Sequence, residues 1–274
     1  MPGALAGAVA GFFAGGAYIS QKRSAWRLEV ANAKREVENQ EAEVKRDYFS
    51  EPFSETEEES GGEDEGRQPE PKIHWYARLG NIEGVRREIA KGVSIELEND
   101  DTRGSRPLHR AAANGNVDVI KFLISQGAYV CAKNTLHGWL PIHYAAKRGC
   151  SECIRVLLDA GSPVDARDKY DHEPIHRAAE GGDPESIKVL LDAGAKVDAK
   201  AGSNQQQPIH AAAWAGHFLA VEALLARGAD PNAENTHGAR PLYFAGLEKH
   251  TEHQKTMRVL EAAGAKRKEQ TDET

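Results

Sequence analysis

Proline followed by Leu or Ile and then His returns four times in this chain, at Pro107-Leu108-His109, Pro141-Ile142-His143, Pro174-Ile175-His176 and Pro208-Ile209-His210. Pro241-Leu242-Tyr243 continues the series, and successive prolines stand 34, 33, 34 and 33 residues apart. Self-similarity at such a period means stacked copies of one supersecondary unit. Each block adds an alanine-rich stretch, an apolar pair and a closing glycine; four of the five also carry a glycine eight residues after the proline. In one block these parts are Ala145-Ala146, Val156-Leu157-Leu158, Gly161 and Gly149. The pattern predicts two short helices per block. Proline suits a first helical turn, where its missing N–H costs nothing, and glycine supplies a left-handed stop. No block can bury its apolar face alone, so stability must come from stacking neighbours.

These blocks resemble the ankyrin repeat, whose signature pairs a TPLHxAA helix with a VxxLLxxGA helix. The resemblance runs from Lys72 to Lys266, about seven tenths of the chain (195 of 274 residues). A divergent opening unit, IHWYARLGNIEGVRREIAKGVSIE from Ile73, brings the count to six. The units are placed at about 72–98, 99–134, 135–168, 169–200, 201–235 and 236–266, with a polar tail over 267–274. The implied fold is an all-α solenoid of helix-turn-helix units with β-hairpin loops. Two departures stand out. The threonine before the proline is replaced by Arg106, Leu140, Glu173, Gln207 and Arg240, none a good N-cap. The last unit has Tyr243 for histidine, Lys249 for glycine and a three-residue insertion near residues 249–255, as a polar C-terminal cap should.

By the same resemblance, ligands lie along a concave face of inner-helix positions, here Trp75, Arg78, Arg110, Asn114, Tyr144, Lys147, Arg148, Arg177, Trp214, Phe244 and Leu247. Hairpin tips add Arg103, Trp139, Tyr170 and His172. Aromatic and cationic groups with few acids are the mix of interface hot spots. A protein partner with an acidic or aromatic segment is the expected complement. The histidines (His74, His109, His143, His176, His210) recur at the repeat period, and the resemblance assigns them to tying helix to loop rather than to metal. Asn232, with Asp230 and Leu224 before it, resembles the hairpin asparagines hydroxylated in some ankyrin proteins.

Ahead of the repeats, residues 3–20 (GALAGAVAGFFAGGAYIS) carry no charge, and Lys22, Arg23 and Arg27 follow at once. Eighteen such residues sit at the short end of what crosses a bilayer. The basic flank follows rather than precedes, which argues against a secretory signal. It places the later chain in the cytoplasm or an equivalent interior such as a mitochondrial matrix. Gly3, Gly7, Gly11 and Gly15 share one helical face and suit close packing on a partner membrane helix. The expected organisation is a glycine-rich transmembrane helix over 1–20, a charged helical stalk over 21–50 and an acidic disordered linker over 51–71.

Between Glu51 and Glu70 there are nine acids and one arginine, a net of −8. The whole chain has 42 acids and 35 bases, net −7, so the remainder is near +1 (−7 minus −8), and nothing points to nucleic acid. Ser54, Thr56 and Ser60 each have an acid three positions on and are candidate phosphorylation sites. The acidic linker is also a candidate ligand for the basic face of its own chain. Cys131, Cys150 and Cys153 are too few for a disulfide framework, and the lone CxxC lacks the second pair a zinc site needs. No phosphate loop, nucleophile elbow or helical HExxH occurs. The sequence therefore predicts no cofactor, no metal and no enzyme. The expected function is a membrane-anchored scaffold or adaptor. The alternatives are an accessory subunit of a membrane complex, mitochondrial for instance, and an enzyme or metal protein on a repeat scaffold.

Overall fold

The computed structural model describes residues 70–99, 104–248 and 250–266. The anchor, stalk and nearly all of the acidic linker lie outside these residues, and with them Gly3, Gly7, Gly11, Gly15, Ser54, Thr56, Ser60 and Arg103.

Twelve helices occur among the described residues, in six pairs. They are α1 (Lys72–Arg78) with α2 (Ile82–Ala90), α3 (Pro107–Asn114) with α4 (Val117–Ser125), α5 (Pro141–Arg148) with α6 (Ser151–Asp159), α7 (Pro174–Gly181) with α8 (Pro184–Asp192), α9 (Pro208–Trp214) with α10 (Phe218–Ala226), and α11 (Pro241–Ala245) with α12 (Thr251–Ala262). First helices pack on first helices and second on second, giving two helical layers. The expected hairpins are loops with at most one bridge: Asn99 pairs with Ser105 and Ala201 with Gln206, and no strand forms among the described residues. Adjacent loops still bond to one another, through Lys169 N–H to His137 O at 2.9 Å and Thr236 N–H to Asn204 O at 3.0 Å.

The sequence pattern explains the layers. In the second helices the third, fourth and seventh positions are buried: Val119, Ile120 and Leu123 in α4, Cys153, Ile154 and Leu157 in α6. In the first helices the paired alanines are fully buried (Ala111-Ala112, Ala145-Ala146, Ala178-Ala179) and leave room for close approach. The approach of α7 to α5 is tight enough that a Cβ at Gly181 would stand 2.2 Å from the Lys147 carbonyl oxygen. Helix α3 ends on Gly115 and α5 on Gly149, both left-handed (φ 74° and 76°), as glycine there requires. In the last pair the extra three residues lengthen the second helix to twelve residues against nine elsewhere, while α11 shrinks to five.

Side chains before the prolines do not cap their helices, as their types imply. The histidine three residues on supplies the reciprocal half of a capping box. His109 Nδ1 accepts the Arg106 N–H at 3.0 Å, and His143, His176 and His210 accept from Leu140, Glu173 and Gln207 at 3.2 Å. Nδ1 being an acceptor, the ring proton sits on Nε2, which faces the loop leading into the next unit. His109 Nε2 donates to Ala132 O and Trp139 O (2.9 and 3.1 Å) and His143 to Ala166 O and His172 O (3.1 and 3.2 Å). His176 and His210 repeat the arrangement with Ala199 and Gln206, and with Ala233 and Ala239. The histidine ladder thus satisfies backbone groups across every junction from the second unit onward, and His74 starts it with Ser105 O at 3.0 Å.

Candidate interaction face

Candidate partner-binding residues divide by burial. Trp75 is 43% exposed and Tyr170 38%. Asn114 and Arg148 are exposed, while Arg78, Arg110, Tyr144, Lys147, Trp214 and Leu247 are half-buried. Four expectations are corrected, because Arg177, Phe244, Trp139 and His172 are buried (5%, 2%, 7% and 5% exposed). Phe244 fills a core slot edge-on to the His210 ring, centroids 5.6 Å apart. Tyr144 holds the same slot against His109 at 5.8 Å, and its hydroxyl accepts from the buried Asn134 amide.

Arg177, Trp139 and His172 belong to a charged cluster between the third and fourth units. The Arg177 guanidinium lies 4.5 Å from the Trp139 ring centroid. It donates to Asp168 Oδ2 at 2.7 Å and to Glu180 Oε2 at 3.0 Å. Trp139 Nε1 donates to the same Asp168 oxygen at 2.9 Å, while Oδ1 accepts the N–H groups of Tyr170 and His172. Lys147 Nζ closes the cluster on Glu180 Oε1 at 3.0 Å. Burial alone pushes the Asp168 carboxyl upward. His172 and Arg177 outweigh it and hold the group far below the usual carboxylate range. Glu180 is lowered likewise, burial being overcome by Arg177 and Lys147.

Sequence reasoning missed both acids. Asp168 occupies the loop position where Asn134 and Asn235 cap their own loops with the same side-chain acceptor, and the unusual tryptophan two residues before Pro141 was the available signal. A third missed acid is Glu70, assigned to the linker. Its Oε1 takes two bonds from Arg110 (Nε 2.9 Å, Nη2 2.7 Å), and Oε2 lies 3.6 Å from Arg78 Nε. Most cations of the inner-helix face therefore already hold a carboxylate of this chain, and the basic face is less open than its composition implies.

Asn232 is half-buried and fully engaged. Its Nδ2 donates to Gly264 O at 3.0 Å and its Oδ1 accepts the Lys266 N–H at 2.7 Å. Among the described residues no group of three or more His, Cys, Asp or Glu is arranged for a metal. The three cysteines, read as too few for a disulfide framework, still form one local bond: Cys150 and Cys153 are joined by a disulfide and Cys131 remains free.

Comparison with known families decides the identity. The family model described as ankyrin repeats (3 copies) matches residues 73–168 and 160–235, more than half of the chain. The chain belongs to the ankyrin-repeat family. Helix pairs one to five of this ankyrin-repeat protein fall within the match, and α11 and α12 follow it. A 65-residue stretch is also 38% identical to oxysterol-binding protein homolog 2 of Saccharomyces cerevisiae. That stretch spans 23% of this chain and 5% of the yeast protein, so the likeness is to a small part of a much longer relative. Ankyrin repeats suggest protein–protein interaction as the work of this domain.

Proposed function

We propose that this chain is a membrane-tethered ankyrin adaptor, built from six units of which α11 and α12 form the C-terminal cap. It holds a protein partner along the first-helix face. The observation that carries this reading is the row from Trp75 through Tyr144 and Lys147 to Tyr170, exposed or half-exposed aromatic and cationic groups set on rigid helices and loops. The seating of Glu70 on Arg110 and Arg78 supports an acidic or aromatic-bearing segment as the partner's contact, because those guanidiniums are arranged to take a carboxylate. No helix of the described residues is long and apolar enough to cross a membrane, so the tether rests on residues 3–20 alone. With that tether, the protein is single-pass and the repeats face the cytoplasm or the mitochondrial matrix. The glycine face of residues 3–15 supports a second reading, an accessory subunit packed in the helix bundle of a membrane complex.

Proximity labelling from the full chain in its native cells tests both. Neighbours should be lost on Trp75→Ser with Tyr170→Ser, and kept on Tyr129→Ser with Leu219→Ser, which lie off the first helices. A neighbour list indifferent to the first pair of changes overturns the adaptor reading. Co-migration with a detergent-solubilised complex favours the subunit reading.

A further inference from the structure

The disulfide between Cys150 and Cys153 belongs to one unit only, and the positions it joins are the N-cap and third residue of α6. In two other units the N-cap side chain accepts the third residue's N–H with oxygen: Asn81 from Gly84 at 2.8 Å and Asp183 from Ser186 at 2.7 Å. Cys150 Sγ does the same from Cys153 N–H at 3.2 Å. Cys150 is partly exposed, whereas Cys153 is fully buried in the slot that Val119, Ser186 and Ala220 fill in neighbouring units. A sulfur at a helix N-cap, facing backbone N–H groups, is stabilised as thiolate. Its bonding partner is sequestered from solvent.

We propose that Cys150 and Cys153 form a reversible thiol–disulfide couple that exchanges with low-molecular-weight thiols and disulfides, Cys150 being the exchanging sulfur and Cys153 the resolving one. On oxidation, the Cys150 thiolate attacks one sulfur of a small disulfide. The S–S bond of that molecule breaks and its first thiolate leaves. The Cys153 thiol then gives up its proton and attacks Cys150 Sγ, expelling the second small thiol. Two protein thiols and one small disulfide become one protein disulfide and two small thiols, with two electrons transferred; reduction is the reverse. The couple stands at the junction with the second unit, Cys150 Sγ lying 3.9 Å from Gly115 O.

The test uses the full chain carrying Cys131→Ser, equilibrated with reduced or oxidised glutathione, acid-quenched, treated with maleimide and weighed intact. In oxidised glutathione both remaining thiols should be lost together without an adduct, and both should return in excess reduced glutathione. Adding Cys153→Ser should trap one glutathione on Cys150. Adding Cys150→Ser should leave the protein unmodified. Serine is tolerated at both places, since Ser186 is buried at the equivalent of 153 and serine is a good N-cap. Two free thiols persisting in oxidised glutathione, an adduct that stays on Cys150 with Cys153 present, or an adduct on Cys153 would each overturn the proposal.

Discussion

At the junction of the third and fourth units, Lys147, Asp168, Arg177 and Glu180 stand in the registers that Trp214, Asn235, Phe244 and Leu247 hold at the junction of the fifth and sixth. The backbone plan and the histidine bonds are the same at both. One junction is filled by an apolar ring against imidazole, the other by ion pairs under a tryptophan. The ankyrin plan thus fixes where helices and loops meet while leaving the chemistry of each junction open. Buried ion pairs repay their desolvation only when every partner is present. The charged junction should therefore be the more fragile to single changes, without being intrinsically the stronger.

The first way to test the comparison is acid, which should act on what the junctions share before it acts on where they differ. Burial lowers His109, His143 and His210 to about 4 and His176 to about 3, from an ordinary 6.5. Their folded values are depressed, so their stabilisation is complete above about pH 6.5 and is lost as pH falls toward 4. By pH 5 each should cost about 1–2 kcal/mol, several kcal/mol in all, spread over every junction they bridge. Asp168 and Glu180 are lowered carboxylates, whose contribution is present above the ordinary carboxylate range and lost below it. Urea melts of the full chain should show a steep fall in midpoint between pH 6.5 and 5. Amide exchange below pH 4 should then open the charged junction preferentially. Uniform opening below pH 4 would remove the distinction between the junctions.

Asp168→Ala comes next. It strips Arg177 and Trp139 of an acceptor and unties the Tyr170 and His172 N–H groups at once, and should cost about 3–5 kcal/mol. Asn235→Ala, which removes only loop bonds to His237 and Ala239, should cost about 1–2 kcal/mol. The converse experiment exchanges the Asp168–Arg177 pair for its counterparts in the apolar junction and leaves Glu180 on Lys147. Asp168→Asn combined with Arg177→Phe should change stability by about 1 kcal/mol or less, because replacing a buried ion pair whole is often neutral. A double variant as unstable as Asp168→Ala would show that the cluster cannot be exchanged as a set.

These contrasts mark how far the sequence alone could be read. Period and helix pairs were legible because each recurs and is set by local geometry, and the histidine ties were legible through the resemblance to ankyrin units. The insertion near residue 249 was legible too, although the structure absorbs it by lengthening α12. The partners of individual cations were not. Arg177 and Arg110 look alike as solvent-facing side chains in an inner helix, and only the loop fold that delivers Asp168, or the approach of Glu70, distinguishes them. Phe244 was misplaced for a related reason: one register holds Arg110, Tyr144, Arg177 and Phe244, and its exposure depends on side-chain shape rather than on spacing. The disulfide was hidden because CxxC reads as half a metal site until the helix start is known to fall on Cys150.

The smallest effect concerns the loop tips. Gly104, Gly138 and Gly238 carry φ of 73°, 68° and 65°, and in the same place the fourth unit has Asp171 at 61° and the fifth has Gln205 at 54°. A side chain in this left-handed region costs about 1–2 kcal/mol, less for Asp than for Gln, because aspartate finds local hydrogen bonds there. Glycine gives back part of that gain through the freedom it adds to the unfolded chain. Asp171→Gly should therefore be neutral to stabilising by about 0.5 kcal/mol, and Gln205→Gly stabilising by somewhat more. Gly138→Ala should go the other way by about 1 kcal/mol, since its Cβ would also stand 3.2 Å from the Lys169 nitrogen. Thermal melts of the three variants decide it. If Asp171→Gly instead destabilised by as much as Gly138→Ala, the aspartate would be supporting the charged junction beside it, and the boundary of that cluster would extend to the tip.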